Sequence, residues 1–254
     1  MTVSIDLSGK VALVTGGSRG IGRAAAESLA RAGARVAVNY SKDRGAADET
    51  VAAIQSADRE AVALAADLSD PARARALVAD VVARWRRLDI VVNNAGIWEE
   101  DIAGEESLDV WDRTLAVNVR GAYLVTDAAI PHLVREKGSI VFVSSTAGQR
   151  GESKHSAYAA SKGALISYTK SLAAELGPKG VRVNCVAPGW VRTDMTAATL
   201  DDPSSRAEIE RTIPLGRVGE PAEIAGAILF LVSDLARFVQ GEIFNVNGGS
   251  VLVG

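Results

Sequence analysis

Short apolar runs rich in valine alternate with longer stretches of helical periodicity along the whole chain. The runs are VALVT (residues 11–15), RVAVNY (35–40), AVALAAD (61–67), DIVVNNAG (89–96), SIVFVSS (139–145), VRVNCVAPG (181–189) and EIFNVNGG (242–249). Between them, residues 19–32, 44–57, 71–85, 108–132, 157–176 and 221–235 place Leu, Ile, Val or Ala at three-to-four spacing, as an amphipathic helix requires. Runs that are apolar throughout suit strands covered on both faces, the usual state of a parallel sheet. The alternation predicts an α/β fold: a single doubly wound domain over residues 1–254, with a seven-stranded parallel sheet and helices on both faces. The rhythm breaks once, over residues 190–220, where Pro203, Pro214 and the DDPSS stretch give a long irregular segment after the sixth strand. Open α/β sheets bind ligands at the carboxyl ends of their strands, so this segment reads as a substrate lid.

Composition narrows the function classes. The 254 residues are 48% hydrophobic and 23% charged with a net charge of −3, a globular profile without the basic field that nucleic acid or anionic lipid would need. No apolar run approaches the length of a membrane span, and the N-terminus, MTVSIDLSGK, has no basic leader region, so cytoplasmic residence is expected. The lone Cys185 excludes an internal disulfide and reads as a buried thiol. Two histidines and one cysteine do not make a usual zinc site, and no metal is expected.

After the first strand comes TGGSRGIG, with glycines at 16, 20 and 22, and then a helical pattern. Glycines allow a tight turn and close backbone approach, and a helix N-terminus offers free N–H groups to a pyrophosphate. The spacing is G-x3-G-x-G rather than G-x-G-x-x-G. The candidate contacts to a dinucleotide are Gly16, Ser18, Arg19, Gly20, Ile21 and Gly22. The second strand ends in Asn39-Tyr40-Ser41 with no acid to hold a ribose 2′-hydroxyl; Asp43 is the first acid and lies beyond it. Arg19 inside the loop, Ser41, and Lys42 and Arg44 just after the strand suit a 2′-phosphate, so NADP(H) is expected in preference to NAD(H). Lys42 and Arg44 read equally well as solvated charges at a helix start, which leaves Arg19 to carry the argument.

The chemistry gathers in HSAYAASKGAL, where Tyr158 and Lys162 sit four apart and so one helical turn from each other. Ser144 and Ser145 close the fifth strand. Asn118 lies inside a helical pattern where asparagine is a poor choice, which points to a task or to a buried amide bonded to backbone. A phenol with pKa near 10 is poorly matched to neutral pH, and an adjacent ammonium favours the phenolate.

Taken together, TGGSRGIG, Asp67-Leu68, NNAG at 93–96, Asn118, Ser145, Tyr158-x-x-x-Lys162 and PGWVRT at 188–193 make the chain resemble a short-chain dehydrogenase/reductase from about residue 7 to 250. That resemblance implies a Rossmann-type fold and hydride exchange between a nicotinamide and a carbonyl or secondary alcohol. Tyr158 would be the general acid, Lys162 its tuner and a ribose contact, Ser145 the group that polarises the substrate oxygen, and Asn118 the holder of a relay water. Asp67 and Leu68 would meet the adenine, Asn94 and Gly96 line the groove, and Asn93 brace the sheet. Pro188 would turn the chain so that Val191 and Thr193 reach the carboxamide, while Ser144 would be structural. Relatives of this kind form tetramers on helices matching 108–132 and 157–176 and on the last strand, so a homotetramer is expected.

SRGIG, VNYS and GVRVNCVAPG look most like bacterial 3-oxoacyl-acyl-carrier-protein reductases, which implies a 3-oxoacyl (beta-ketoacyl) reductase; a sugar, polyol or small-ketone dehydrogenase is the alternative. A non-catalytic dinucleotide sensor is a third reading, which the intact Asn–Ser–Tyr–Lys set argues against. An acidic carrier would want Arg135, Lys137 and Lys179 beside the cleft and would be repelled by Glu99, Glu100 and Asp101. Trp98 and those three acids either edge the substrate pocket or form a solvated loop. His155 reads as a solvent-facing loop residue or a substrate contact, His132 as a helix-end residue meeting the dipole. Trp190 either walls the pocket or anchors the lid.

Overall fold

The computed structural model describes residues 4–105 and 108–252. Seven strands form one parallel sheet: β1 (Val11–Val14), β2 (Arg35–Tyr40), β3 (Ala61–Ala65), β4 (Ile90–Asn93), β5 (Ser139–Val143), β6 (Arg182–Pro188) and β7 (Ile243–Val246), in the order β3-β2-β1-β4-β5-β6-β7. Val14 pairs with Val38 on one side and Val92 on the other, so the order reverses at β1 and a crevice opens above its carboxyl end.

Helices cover both faces. On one, α1 (Gly20–Arg31), α2 (Arg44–Gln55) and α10 (Pro221–Val232) pack Ala25, Leu29, Ile54, Ile224 and Ile228 on Val14, Val36 and Val92. On the other, α3 (Pro71–Trp85), α5 (Ala122–Glu136) and α7 (Ser156–Leu176) pack Leu77, Val125, Leu133, Leu165 and Leu172 on Leu13, Val91 and Phe142. Central strands buried on both faces explain the runs without alternation. Cys185 lies among them, fully buried, and burial pushes its thiol up to about 12. Asp43 and Asp70 start α2 and α3 by accepting backbone N–H groups, with Pro71 opening α3.

The structure departs from the periodicity in several places. Every strand but β2 ends before its apolar run does, and the surplus residues form loops at the carboxyl edge. Residues 108–132 are not one helix: α4 (Leu108–Leu115) passes through a π-helical turn (Ala116–Gly121) into α5, which continues past Pro131 to Glu136. His132 is therefore inside α5, not at a helix end where it would meet the dipole. Residues 190–220 hold two helices, α8 (Ala197–Leu200) and α9 (Pro203–Arg211), around a small core of Leu200, Ile213 and Val218. Asp202 caps α9 by accepting from the Ser205 N–H and Pro203 opens it, so part of what read as irregularity begins a helix, while Pro214 lies beyond its end. The four-residue α6 (Ala147–Arg150) was also not foreseen.

Candidate active site

At the crevice, the glycine loop is held by polar side chains from neighbouring strands. Asn39, buried in β2, accepts from the Gly16 N–H (3.2 Å) and donates to the carbonyls of Leu64 and Ala66. Thr15 Oγ1 accepts from the N–H groups of Asn94 (3.0 Å) and Ala95 (3.1 Å), while the Asn94 amide donates to the carbonyls of Thr15 and Gly16. A Cβ on Gly22 would lie 2.1 Å from the Gly16 carbonyl oxygen, so only glycine lets α1 begin this close to the loop. No side chain caps α1, and its first turn holds no acid. Its free N–H groups and positive end suit a pyrophosphate, so the cradle fits a dinucleotide.

Beyond the loop, the expected contacts divide. Asp43 caps α2 by accepting from the Ala46 N–H. Arg44 pairs with Asp48 (3.3 Å), while Ser41 and Lys42 are exposed at the end of β2. Arg19 is exposed and lies 3.8 Å from Asp194, so it stands over the groove mouth without a strong partner. Asp67 is exposed and accepts from Ser69, but Leu68 turns its side chain into the core, leaving only main chain to meet an adenine. Asn94, half-buried, braces the glycine loop with its amide. Val191 is buried and bridges to Gly219, and the Thr193 N–H donates to Thr196 Oγ1, which in turn donates to the Val191 carbonyl. Asn93 bonds Thr126 and Ser144 bonds the Lys162 carbonyl, both as structural residues.

The four chemical residues meet at the same edge. Ser145 and Tyr158 line one pocket, together with Trp98, Glu152, Trp190 and Met195. Lys162 is buried one turn further along α7; its ammonium donates to the Val143 carbonyl (2.8 Å) and lies 5.6 Å from the Tyr158 ring centre. A Cβ on Gly96 would lie 3.3 Å from both Lys162 Nζ and Asn118 Oδ1, so this glycine lets the NNAG loop approach the pair. The π turn aims Asn118 inward. Its amide accepts from the Ile97 N–H (2.8 Å) and donates to the Ile97 carbonyl and Ser161 Oγ (3.0 Å each). π turns of this kind concentrate at functional sites. The amide is therefore a clamp on the NNAG loop.

Charge in the site departs from expectation. Burial pushes the Tyr158 phenol up to about 12; the Ser145 hydroxyl beside it pulls down and the charge of Glu152 adds to the rise. Burial lowers Lys162 to about 8.

The loop after β4 is mostly spent on structure. Glu99 pairs with Arg113, Glu100 with Lys154 (3.5 Å), and Asp101 caps α7 by accepting from the Ala157 N–H (2.9 Å) and the Ser156 hydroxyl. Trp98 alone of the four reaches the pocket. His155 precedes α7, is half-buried and does not line the pocket; its ring stacks on Trp98 at 4.3 Å and 10°. Trp190 fulfils both expectations, lining the pocket and packing on the small core. Arg135, Lys137 and Lys179 lie at the amino edge, since α5 and α7 run back to that edge before β5 and β6 begin; within one chain they are not beside the cleft. Asn39, Thr15, Thr196 and Glu152 were not singled out from sequence, although an asparagine within VAVNY is a visible anomaly.

A family model described as enoyl-(acyl carrier protein) reductase matches residues 16–250. The chain belongs to the short-chain dehydrogenase/reductase family. Its members with this site are oxidoreductases that act on CH–OH or carbonyl groups with NAD(P), and so is this protein. A 3-oxoacyl-[acyl-carrier-protein] reductase of Synechocystis sp. is 40% identical over 97% of this chain and 98% of its own. An L-rhamnose 1-dehydrogenase (NAD(P)(+)) of Sphingomonas sp. is 41% identical over 96% of each. Among solved structures, a putative NAD(P)-dependent gluconate 5-dehydrogenase from Beutenbergia cavernae with bound NADP superimposes with a TM-score of 0.91 at 39% identity, covering 96% of this chain and 98% of that one.

Proposed function

We propose that this short-chain dehydrogenase/reductase interconverts a small hydroxylated carbonyl compound and its alcohol, with NADP(H) preferred over NAD(H). The observation that carries the reading is the shared pocket of Ser145 and Tyr158 beside buried Lys162, at the edge where the glycine loop opens. When bound, the nicotinamide supplies or accepts the hydride. Tyr158 Oη gives its proton to the forming alkoxide in reduction; held up at about 12, it is protonated at neutral pH and ready to donate. Ser145 Oγ donates to the same oxygen and orients the carbonyl. Lys162, at about 8, remains largely cationic at neutral pH and stabilises the phenolate left behind. Asn118 positions the NNAG loop. Gly16, Ser18, Gly20, Ile21 and Gly22 cradle the pyrophosphate, with Arg19 and Ser41 on the 2′-phosphate. Asp67 meets the adenine, Gly96 and Pro188 shape the groove, and Val191 and Thr193 frame the carboxamide. Residues 190–220 act as the lid of one domain spanning 1–254.

For the substrate, the pocket combines two tryptophans with a carboxylate, a surface suited to a hydroxylated carbon chain. A 3-oxoacyl reductase is the second reading, favoured by the Synechocystis relative; the amino-edge position of Arg135, Lys137 and Lys179 speaks against carrier docking on the same chain. A homotetramer in the cytoplasm is proposed on two exposed apolar surfaces. One is the groove between α4–α5 and α7 with Leu115, Tyr123 and Tyr168; the other is the face near β7 with Phe238 and Phe244. Among the described residues no helix is long and apolar enough to cross a membrane.

The deciding experiment follows absorbance of the reduced cofactor with aldoses, alditols, diketones and acetoacetyl thioesters, using both cofactors. Turnover of hydroxylated substrates with an NADP(H) preference is expected. Turnover of acetoacetyl thioesters alone would select the second reading, and tight NADPH binding with no turnover would select the sensor. Light scattering giving the mass of one chain would refute the tetramer.

A further inference from the structure

Glu152 sits in the turn between α6 and α7 and lines the same pocket as Ser145 and Tyr158. Its carboxyl is half-buried, and burial raises its pKa; the nearby Trp98 indole, His155 and Arg150 pull the other way. Among the described residues no cation lies at ion-pair distance from it. Trp98 is itself immobilised, stacked on His155 and edge-on to Trp190 at 5.9 Å and 89°. The pocket therefore presents a carboxylate that accepts from the Trp98 indole and keeps further acceptor positions, close enough to Tyr158 for its charge to act on the phenol.

A partly desolvated carboxylate has about four acceptor positions and is costly to cover with groups that donate nothing. A methylene chain laid over Glu152 leaves the acceptor positions not taken by Trp98 unpaired; a hydroxyl satisfies one of them. We propose that Glu152 is a specificity-determining residue that accepts a hydrogen bond from a substrate hydroxyl near the reacting carbon, selecting α-hydroxy carbonyl compounds and the corresponding diols. This rests on the carbonyl–alcohol reading of the Tyr158 pocket and goes beyond it by naming the group that is read. Sites built to bond a hydroxyl reject analogues that lack it far more strongly than apolar pockets reject an extra methylene. The tryptophan faces cover the C–H surface of such a chain, and the carboxylate reads its O–H.

The test compares 2,3-butanediol with 2-butanol, both oxidised with NADP+, in the wild type and in Glu152→Gln. The wild type is expected to favour the diol, and the substitution to lower the diol-to-butanol ratio of kcat/KM by at least about tenfold, the loss of one charge-assisted hydrogen bond. The butanol rate within the variant reports whether the site is still assembled. A second readout is the pH profile of kcat. The charged and titratable groups around Glu152 are Arg150 of α6, His155 before α7, and Tyr158 itself. Removing the negative charge beside the phenol is expected to move the apparent pKa for oxidation downward, which a merely structural residue would not do. An unchanged ratio in Glu152→Gln, an equal loss on both substrates, or a wild type that turns over 2-butanol and acetoacetyl thioesters but not the diol would each overturn the inference. Failure of the wild type on every alcohol and carbonyl would instead overturn the underlying reading of the pocket.

Discussion

Tyr158 and Lys162 occupy the helix positions that their spacing implied, yet their charges are set by what surrounds them. With the phenol held at about 12, the proton-accepting form is scarce at neutral pH, so the rate of alcohol oxidation should climb with pH. Reduction needs the protonated phenol and should decline only at strongly alkaline pH. Parallel pH–rate profiles in the two directions check this, and oxidation that is flat between pH 7 and 9 would contradict it. Tyr158→Phe removes the transferable proton without changing ring packing. It should retain NADPH binding by fluorescence titration while losing about 10²–10⁴-fold in kcat. Arg19→Ala addresses the cofactor: its side chain is exposed, with only a weak contact to Asp194. Loss of a charge-assisted contact to a 2′-phosphate should weaken NADPH by about 10–100-fold and leave NADH nearly unchanged. Equal weakening of both would remove Arg19 from that role. Among site residues, Tyr158, Lys162, Ser145 and Asn118 were legible because motif order and spacing single them out. For Leu68 and Asn94 the sequence did not show which way each side chain turns, because a motif letter carries no orientation.

At the level of elements, helix α7 depends on a distant residue. Asp101 supplies the cap that His155, the residue preceding α7, does not. Its carboxyl is driven up by its slight burial, but the bonds from Ser156 and Ala157 win, and its pKa lies below the usual carboxylate range. Asp101→Ala should cost about 1 kcal/mol in stability and loosen the start of the helix that carries Tyr158. Hydrogen exchange at Ala157 and its neighbours would register this before global unfolding does. The glycine loop shows the same dependence on partners: Gly22→Ala places a methyl carbon on the Gly16 carbonyl. It should abolish dinucleotide binding in calorimetry even where circular dichroism shows the fold retained. Periodicity located most of these helices well, but it ran through the π turn and overran the strands. Apolar and small residues continue into the carboxyl-edge loops, so pattern alone does not show where sheet pairing stops.

For the molecule as a whole, the two ends of the sheet have separate duties. The carboxyl edge carries the chemistry, while the amino edge holds a buried anchor, Asp89. Burial pushes its pKa up, but Arg87 (2.7 Å), the Val11 N–H (2.9 Å) and Lys10 (3.2 Å) outweigh that, and the net effect lies below the usual carboxylate value. A carboxylate with a depressed folded-state pKa stabilises the fold fully above its unfolded value of about 3.9 and loses that contribution as pH falls further. Asp89→Asn should therefore lower Tm at neutral pH by roughly 5 °C, from about 2 kcal/mol of lost charged hydrogen bonding. The gap between the two proteins should narrow below about pH 4. A gap independent of pH in thermal melts would show that the loss comes from packing instead.

The order of apolar runs and helical stretches was enough to determine a parallel seven-stranded sheet covered on both faces, because burial on two sides forbids alternation in the strands. Motif spacing likewise determined which tyrosine, lysine and serine would meet at its carboxyl edge. Only the tertiary structure decided how those groups are charged and which neighbours shape the pocket. Glu152 and Trp98 are far apart in the chain, and neither belongs to a periodic pattern or a spaced motif. Their role arises where two loops from different strands close on one cavity, and desolvation there is a property of the enclosure rather than of any residue in it.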